Sequence, residues 1–322
     1  MIQKIAVIGA GTMGHSIAEN FAMHGYDVKL YDLDENRIAS VMDEMKEDLC
    51  FLAEEKLIDS STVVKALQNI RTTTDLAAAV SDRDYLIEAA PENLALKQNL
   101  FRQLDELCPD HAIFASNTSS LSLEDMMKDV TEKRRQRMMV NHWYNPAHIM
   151  PLVELSFFGN MPESIFTEVE ALYKSIGKQT VKVLKDVPGL VANRIQQGVA
   201  REVFSIMEQE IASPEDVEKA LMFGPAFRYA TTGQLEIADM GGLDIWCTVG
   251  DNLLKVMDNR QSANPLLREK VESGKLGMKT GEGFFKYNPA KVPEIKKQFA
   301  RKLVHQLKAS AFYKEKDKSH VK

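Results

Sequence analysis

His142 stands at the end of an apolar run, Met138–Asn141, and Glu154 follows twelve residues on, past Pro146 and Pro151. The intervening stretch is long enough to reverse the chain and set the carboxylate beside the imidazole. A carboxylate on one ring nitrogen fixes the tautomer and leaves the other nitrogen to take a proton from an alcohol. Removal of a hydride from a carbinol carbon requires that the hydroxyl proton leave at the same time. The same spacing also suits a histidine that is satisfied structurally. His148 competes for the role, and His15 lies too near a glycine turn. Ser116–Ser120, reading SNTSS, follows another short apolar run, and a hydroxyl or amide there could hold a substrate oxygen. Ser120 or Ser122 could equally cap the following LEDMM helix. There is no GxSxG elbow and no H-E-x-x-H pair, so hydrolase and zinc-protease chemistries lack support. No metal site is expected.

A second constellation begins the chain. Gly9-Ala10-Gly11-Thr12-Met13-Gly14 follows a β-branched run and opens a helical pattern, the context that gives GxGxxG its meaning. Gly9 permits the tight turn, Gly11 lets the backbone approach a pyrophosphate, and Gly14 lets the helix pack closely on a sheet. Asp32 lies 18 residues beyond Gly14 at the end of the second strand. A carboxylate there accepts from both ribose hydroxyls and repels a 2′-phosphate. NAD is therefore the expected cofactor, although Arg37 could soften the preference, and nothing further along supports FAD. Glu92 and Lys97 flank the helix after the third clear strand. With Asn117, they belong at the strand ends that face a cofactor crevice. A solvated surface lysine is the plain alternative for Lys97.

Strands are expected at 3–8, 27–31, 84–89, 112–115, 138–141 and 180–184, with helices at 13–23, 34–52 and 93–107. Alternation of this kind implies an α/β domain with a mostly parallel sheet covered on both faces. The Asp186-Val187-Pro188-Gly189 segment is the expected boundary, its proline suiting a helix start and its glycine needing no special role. Beyond it, 190–208, 214–222 and 243–257 read as helices, with one possible strand at 283–287. The chain is thus divided into 1–186, a helical 187–290 and a basic tail 291–322. In that tail Ile295, Phe299, Leu303 and Leu307 form one helical stripe, suited to a docked terminal helix. Net charge is -6, but from Lys286 onward eleven Lys or Arg face three acids. The acidic remainder disfavours nucleic acid. No apolar run is long enough to span a membrane. The chain enters a strand-like run at once, so no cleavable leader is expected. Cys50, Cys108 and Cys247 form neither a disulfide framework nor a CxxC site, which suits a reducing, cytoplasmic setting.

The segments GAGTMGHSIA, AAPENLALKQNLF, SNTSSL, HWYNPAHIMPLVEL, DVPGLVANR, ASPEDVEKAL and KLGMKTGEGFFKY, in that order, resemble the L-3-hydroxyacyl-CoA dehydrogenase family. The likeness is nearest to its bacterial 3-hydroxybutyryl-CoA branch and runs from Ile2 to about Tyr287. It implies a Rossmann-type NAD-binding domain followed by an all-α C-terminal dimerisation domain, with a homodimer as the working form. It further implies that His142 is the acid/base and Glu154 its partner. Ser119 matches the contact to the substrate hydroxyl, and Asn193 the residue that polarises the thioester side. Asp32, Glu92 and Lys97 match cofactor-proximal positions.

Two departures bear on substrate. The family's PMGP segment is replaced by GPAFRYATTGQLE, which carries Arg228. Relatives that oxidise free hydroxy acids, such as L-gulonate and carnitine dehydrogenases, have a similar arginine, and an arginine can clamp a carboxylate. Where the family presents lysines to CoA, Lys46 and Lys56 remain beside Glu47, Glu54 and Glu55, the wrong balance for a 3′-phosphate. A short acyl-CoA is the first expectation and a free 3-hydroxy carboxylate the second. A non-catalytic NAD-binding protein is a third.

Overall fold

The computed structural model describes residues 2–314; the end of the expected basic tail, 315–322, lies outside them. The chain divides into two compact units, Met1–Asn193 and Arg194–Lys322.

The first unit contains β1 (Lys4–Ile8), α1 (Thr12–Met23), β2 (Asp27–Tyr31), α2 (Glu35–Glu54), α3 (Ser60–Gln68), β3 (Ile70–Thr73), α4 (Leu76–Val80) and β4 (Tyr85–Glu88). It continues with α5 (Leu94–Leu107), β5 (Ile113–Ser116), the single-turn helices α6 (Leu123–Met126) and α7 (Glu132–Arg135), β6 (Met138–Trp143), β7 (Leu152–Ser156), α8 (Glu163–Ser175) and β8 (Gln179–Val183). The eight strands form one sheet in the order β3-β2-β1-β4-β5-β6-β7-β8. Every neighbouring pair is parallel except β6 and β7, which are antiparallel. The expected Rossmann-type architecture is therefore present.

Strand alternation divides the core in two. Ile5 and Val7 join Phe21, Tyr85 and Trp143 on one face of the sheet. Ala6 and Ile8 join Leu86, Phe101 and Phe114 on the other. Full burial of each large side chain stabilises the fold by roughly 1.5–3 kcal/mol, before chain entropy is counted. The same period-two rule governs β6 and β7. Met139 and Trp143 point to the first face with Val153 and Leu155. His142 and Glu154 therefore project on the opposite face.

Several expectations need correction. Strands β3 and β7 were not expected; the stretch before Glu154 is a loop only as far as Pro151. Helices α3, α4 and α8 were also unassigned. The helix after the Asp186–Gly189 segment starts at Ala192 and not at Leu190, so Pro188 does not open it. Gly189 does have a special role, because it takes φ 79, and Leu190 follows at φ 48.

The second unit is helical, as expected: α9 (Ala192–Glu208, whose first two residues belong to the first unit), α10 (Pro214–Phe223), α11 (Pro225–Tyr229), α12 (Gln234–Gly241), α13 (Leu243–Leu253), α14 (Pro265–Glu272) and α15 (Val292–Lys314). Ser213 caps α10 by accepting from the Asp216 amide, with Pro214 in the first turn. Residues 283–287 form no strand; isolated bridges join Glu282 to Gly277 and Lys286. Phe284 from this turn stacks on Phe204 of α9 at 5.7 Å. In α15, Ile295, Leu303 and Leu307 of the expected stripe are half-buried and Val304 beside them is fully buried, whereas Phe299 is 57% exposed. Among the described residues no helix is long and apolar enough to cross a membrane.

The β1–α1 turn depends on one close contact. A Cβ on Gly14 would meet the Gly9 carbonyl oxygen at 1.7 Å, whereas one on Gly11 would meet nothing within 4 Å. Gly14→Ala must displace backbone, and we expect it to cost about 1–3 kcal/mol of stability in urea denaturation. Gly11→Ala should unfold at about the wild-type midpoint. Equal midpoints for the two variants would show that α1 does not need the close approach.

Candidate active site

The cleft at the carboxyl ends of the first strands has a volume of about 660 Å³. Gly9, Gly11, Thr12, Met13 and Asp32 line one side of it, and Glu92, Lys97 and Asn117 another. Gly14 does not line it; it packs beneath, against Gly9. Gly11 is the N-cap of helix α1 and offers no side-chain cap, so the first amides of the helix are open to an anion. The open space above Gly11 fits the close approach of a pyrophosphate. Asp32 is held in place by two amides: Ala10 donates to Oδ2 at 2.8 Å and Asp34 to Oδ1 at 3.0 Å. Arg37, the residue that could favour a 2′-phosphate, donates from Nε to the Ala10 carbonyl and pairs with Glu44. It is thereby engaged in the turn.

Lys97 is neither solvated nor free. It is buried, with Nζ 2.9 Å from Glu88 Oε2 and 3.0 Å from Glu92 Oε2. Burial pushes the Glu88 carboxyl up, and the Lys97 charge with the Ser116 hydroxyl opposes that only in part. Burial acts upward on Glu92 too, but hydrogen bonds from Thr118, Lys97 and Ser120 hold it down at about 2. Glu92 Oε1 also accepts from the Ser119 and Ser120 amides. Glu92 and Lys97 therefore join β4, α5 and the SNTSS loop into one wall of the cleft. Ser122 caps α6 by accepting from the Asp125 amide.

The β6–β7 register pairs His142 directly with Glu154. His142 Nδ1 lies 2.8 Å from Glu154 Oε2, with both residues buried. A carboxylate only accepts here, so Nδ1 carries the proton and Nε2 presents its lone pair. The other Glu154 oxygen accepts from the Val191 and Ala192 amides at 2.9 and 3.0 Å, at the start of α9. Burial pushes Glu154 up, yet the bonds from His142, Ala192 and Val191 outweigh it and hold the group below the usual carboxylate range.

Tyr144 meets the His142 ring edge-on at 5.4 Å between centroids and donates to Asn193 Oδ1 at 2.8 Å. Burial and then the Glu154 charge raise its phenol, which stays protonated as that bond requires. Asn117 Oδ1 accepts from the Trp143 amide at 2.8 Å, tying the SNTSS loop to the end of β6. Ser119 lies in that loop, half-buried, and its carbonyl accepts from the Gly189 amide. The structure thus brings together His142, Glu154, Asn117 and Asn193, with Ser119 two residues on from Asn117. Lys56 is exposed in the turn after α2, at φ 55, and Arg228 is exposed on α11 in the second unit. Sequence reasoning missed Glu88, Tyr144 and the two amides of 191 and 192. Only Tyr144 had a signal, its place two residues after His142.

Comparison with known proteins gives the family. The family model for the NAD binding domain of 3-hydroxyacyl-CoA dehydrogenase matches residues 4–187, and that for the C-terminal domain matches residues 189–287. The chain is 34% identical over 308 residues to the 5-formyl-3-hydroxy-2-methylpyridine 4-carboxylate 5-dehydrogenase of Mesorhizobium japonicum, covering 94% of this chain and 97% of that protein. It is also 34% identical over 287 residues to the probable 3-hydroxybutyryl-CoA dehydrogenase of Bacillus subtilis, covering 89% and 98% respectively. The crystal structure of a 5-formyl-3-hydroxy-2-methylpyridine 4-carboxylic acid 5-dehydrogenase, described as an NAD+ dependent dismutase, matches with a TM-score of 0.88. That match has 32% identity and covers 98% of this chain and 100% of the other. With an NAD-binding domain followed by the family's C-terminal domain, the chain belongs to the 3-hydroxyacyl-CoA dehydrogenase family and is an NAD-dependent oxidoreductase that acts on a secondary alcohol.

Proposed function

We propose that His142 is the acid/base of this enzyme and Glu154 its partner, and that the substrate is a short 3-hydroxyacyl-CoA. The observation that carries the reading is the 2.8 Å contact between His142 Nδ1 and a buried Glu154 carboxylate. It leaves Nε2 as the acceptor for the hydroxyl proton while the carbinol hydrogen departs with its electron pair. NAD, when bound, supplies the hydride acceptor. Glu154 stabilises the imidazolium that results, and in the reducing direction His142 returns the proton to the oxygen. Ser119 holds the substrate hydroxyl and Asn193, oriented by Tyr144, polarises the carbonyl beyond it. Gly9, Gly11, Thr12, Met13 and Gly14 form the pyrophosphate turn. Asp32 takes the ribose, and Glu92, Lys97 and Asn117 shape the rest of the cofactor wall. A homodimer through the helical unit is part of the proposal. In that unit α12 and α13 leave Leu235, Met240, Leu243, Ile245 and Leu253 exposed, side chains that a dimer contact would bury.

A second reading of the substrate, a small free carboxylate, has specific support. The pyridine-carboxylate dehydrogenase is similar along nearly the whole chain, beyond the reach of the acyl-CoA relative. Arg228 is a cation suited to a carboxylate. Lys56 and Lys46, the cations left for CoA, stand exposed with Glu47 and Glu54 close by in sequence.

Three outcomes test these readings. His142→Gln should lower kcat by about 10²–10⁴ while the NADH Kd, read by fluorescence titration, changes little. A matching loss of NADH affinity would make His142 a cofactor or structural residue instead. Glu154 has a folded-state pKa below the unfolded one, so its contribution to stability is present above about 4.5 and lost as pH falls through the folded value. Glu154→Gln should therefore cost about 1.5–3 kcal/mol near neutral pH, and the gap to wild type should narrow in acid. A gap constant from pH 7 to pH 3 would contradict a charged Glu154 in the fold. Finally, NADH oxidation rates with acetoacetyl-CoA and with free 3-oxo acids separate the substrates. Preference for the thioester supports the first reading. Preference for a free acid, lost in Arg228→Ala, supports the second.

A further inference from the structure

A cluster outside the dyad makes a second site in the first unit. His15 and Glu19 lie four residues apart on α1 and so share one face of the helix. Asp48 reaches them from α2, with His15 Nε2 3.5 Å from Asp48 Oδ2. One nitrogen or oxygen from each of the three lies within 4.8 Å of the others. His15 Nδ1 bonds the Gly11 carbonyl at 2.8 Å, which places its proton there. Nε2 faces Asp48 and also stands 3.2 Å from the Ser16 hydroxyl, which has His148 Nδ1 as an alternative partner at 3.1 Å. Backbone anchoring of the remote ring nitrogen is the arrangement that orients metal-ligating histidines.

The independent observation is Glu19 itself. It is fully buried, and neither carboxylate oxygen receives a hydrogen bond among the described residues. His148 Nδ1 stands 3.6 Å from Glu19 Oε2 and 3.1 Å from the Ser16 hydroxyl. A buried acid with two orphan oxygens and acidic neighbours is costly unless a cation compensates it.

We propose that His15, Glu19 and Asp48 bind a divalent transition-metal ion of the zinc type at the base of the glycine turn. One imidazole and two carboxylates suit zinc, which takes N and O ligands at about 2.0–2.2 Å and tolerates an open fourth position. Tetrahedral ligand atoms around such an ion lie about 3.4 Å apart, close to the His15–Asp48 spacing. The ion clamps α1 to α2, and through the His15–Gly11 bond it braces the turn. Its role is structural and independent of the His142 chemistry.

The test is a Zn²⁺ titration of EDTA-stripped, dialysed protein in competition with a chromophoric chelator, with Co²⁺ absorption as a second readout. One equivalent per chain is expected, with affinity reduced at least about 10-fold in both His15→Ala and Asp48→Asn. Co²⁺ bands should be lost in His15→Ala. Asp48 is partly exposed, so its variant remains informative if the α1 variant fails to fold. Absence of a bound equivalent in the wild type, or undiminished binding in Asp48→Asn, overturns the proposal.

Discussion

The buried charge of Glu154 is the constraint on which the rest of the site depends. A carboxylate removed from water must be matched by donors, and removing one partner from a buried pair costs about 3–5 kcal/mol. Glu154 finds three donors on two elements: the His142 ring on β6 and the Val191 and Ala192 amides at the head of α9. The interaction that orients the imidazole therefore also fixes where α9 begins. That beginning carries Asn193, which Tyr144 reaches from beside His142. The positive end of a helix favours a negative group. The carboxylate that orients the His142 ring is in this way held ionised by the helix it positions.

A second buried charge system organises the cleft. Glu88, Lys97 and Glu92 give one cation and two carboxylates. The surplus charge lies with Glu92, which is partly exposed and takes the Thr118 and Ser120 hydroxyls as well. Burial penalises Glu88 most, since it is the acid enclosed on all sides. The network couples the end of β4 to the SNTSS loop, and Asn117 extends the connection to Trp143. The cleft above the glycine turn and the His142–Glu154 pair thus share one polar framework.

Legibility in the sequence followed the physics of each element. The glycine turn was readable because Gly9 needs φ 106 and Gly14 needs to lack a side chain. Strand β1, with four consecutive buried residues, declares itself by its apolar run. Strand β3, Ile-Arg-Thr-Thr, has a single apolar residue, and β7 begins immediately after Pro151, so neither stood out. Glu88 reads as any acid at a strand end, because only the three-dimensional return of Lys97 buries it. The role of the 191 and 192 amides cannot be read at all, since backbone donors leave no trace in residue identity. Phe299 was assigned to the covered face of α15 by periodicity alone, whereas the covered stripe includes Val304.

The single antiparallel pair in an otherwise parallel sheet explains how two residues so close in sequence meet at the proposed reactive site. A parallel neighbour needs a crossover of a dozen or more residues, and its partner arrives from a separate unit. Reversal between Trp143 and Leu152 instead sets His142 opposite Glu154 on the same face. Side chains of directly opposed residues stand about 4.5–5.5 Å apart at Cβ, a span that an imidazole and a carboxylate close with one hydrogen bond. A slip of one residue would send Glu154 to the face occupied by Val153 and Leu155 and leave a charge in the apolar core. The apolar alternation of β7 that hides Val153 and Leu155 is therefore what holds His142 in register with Glu154. Hydrophobic burial on one side of the sheet sets the geometry of the polar pair on the other.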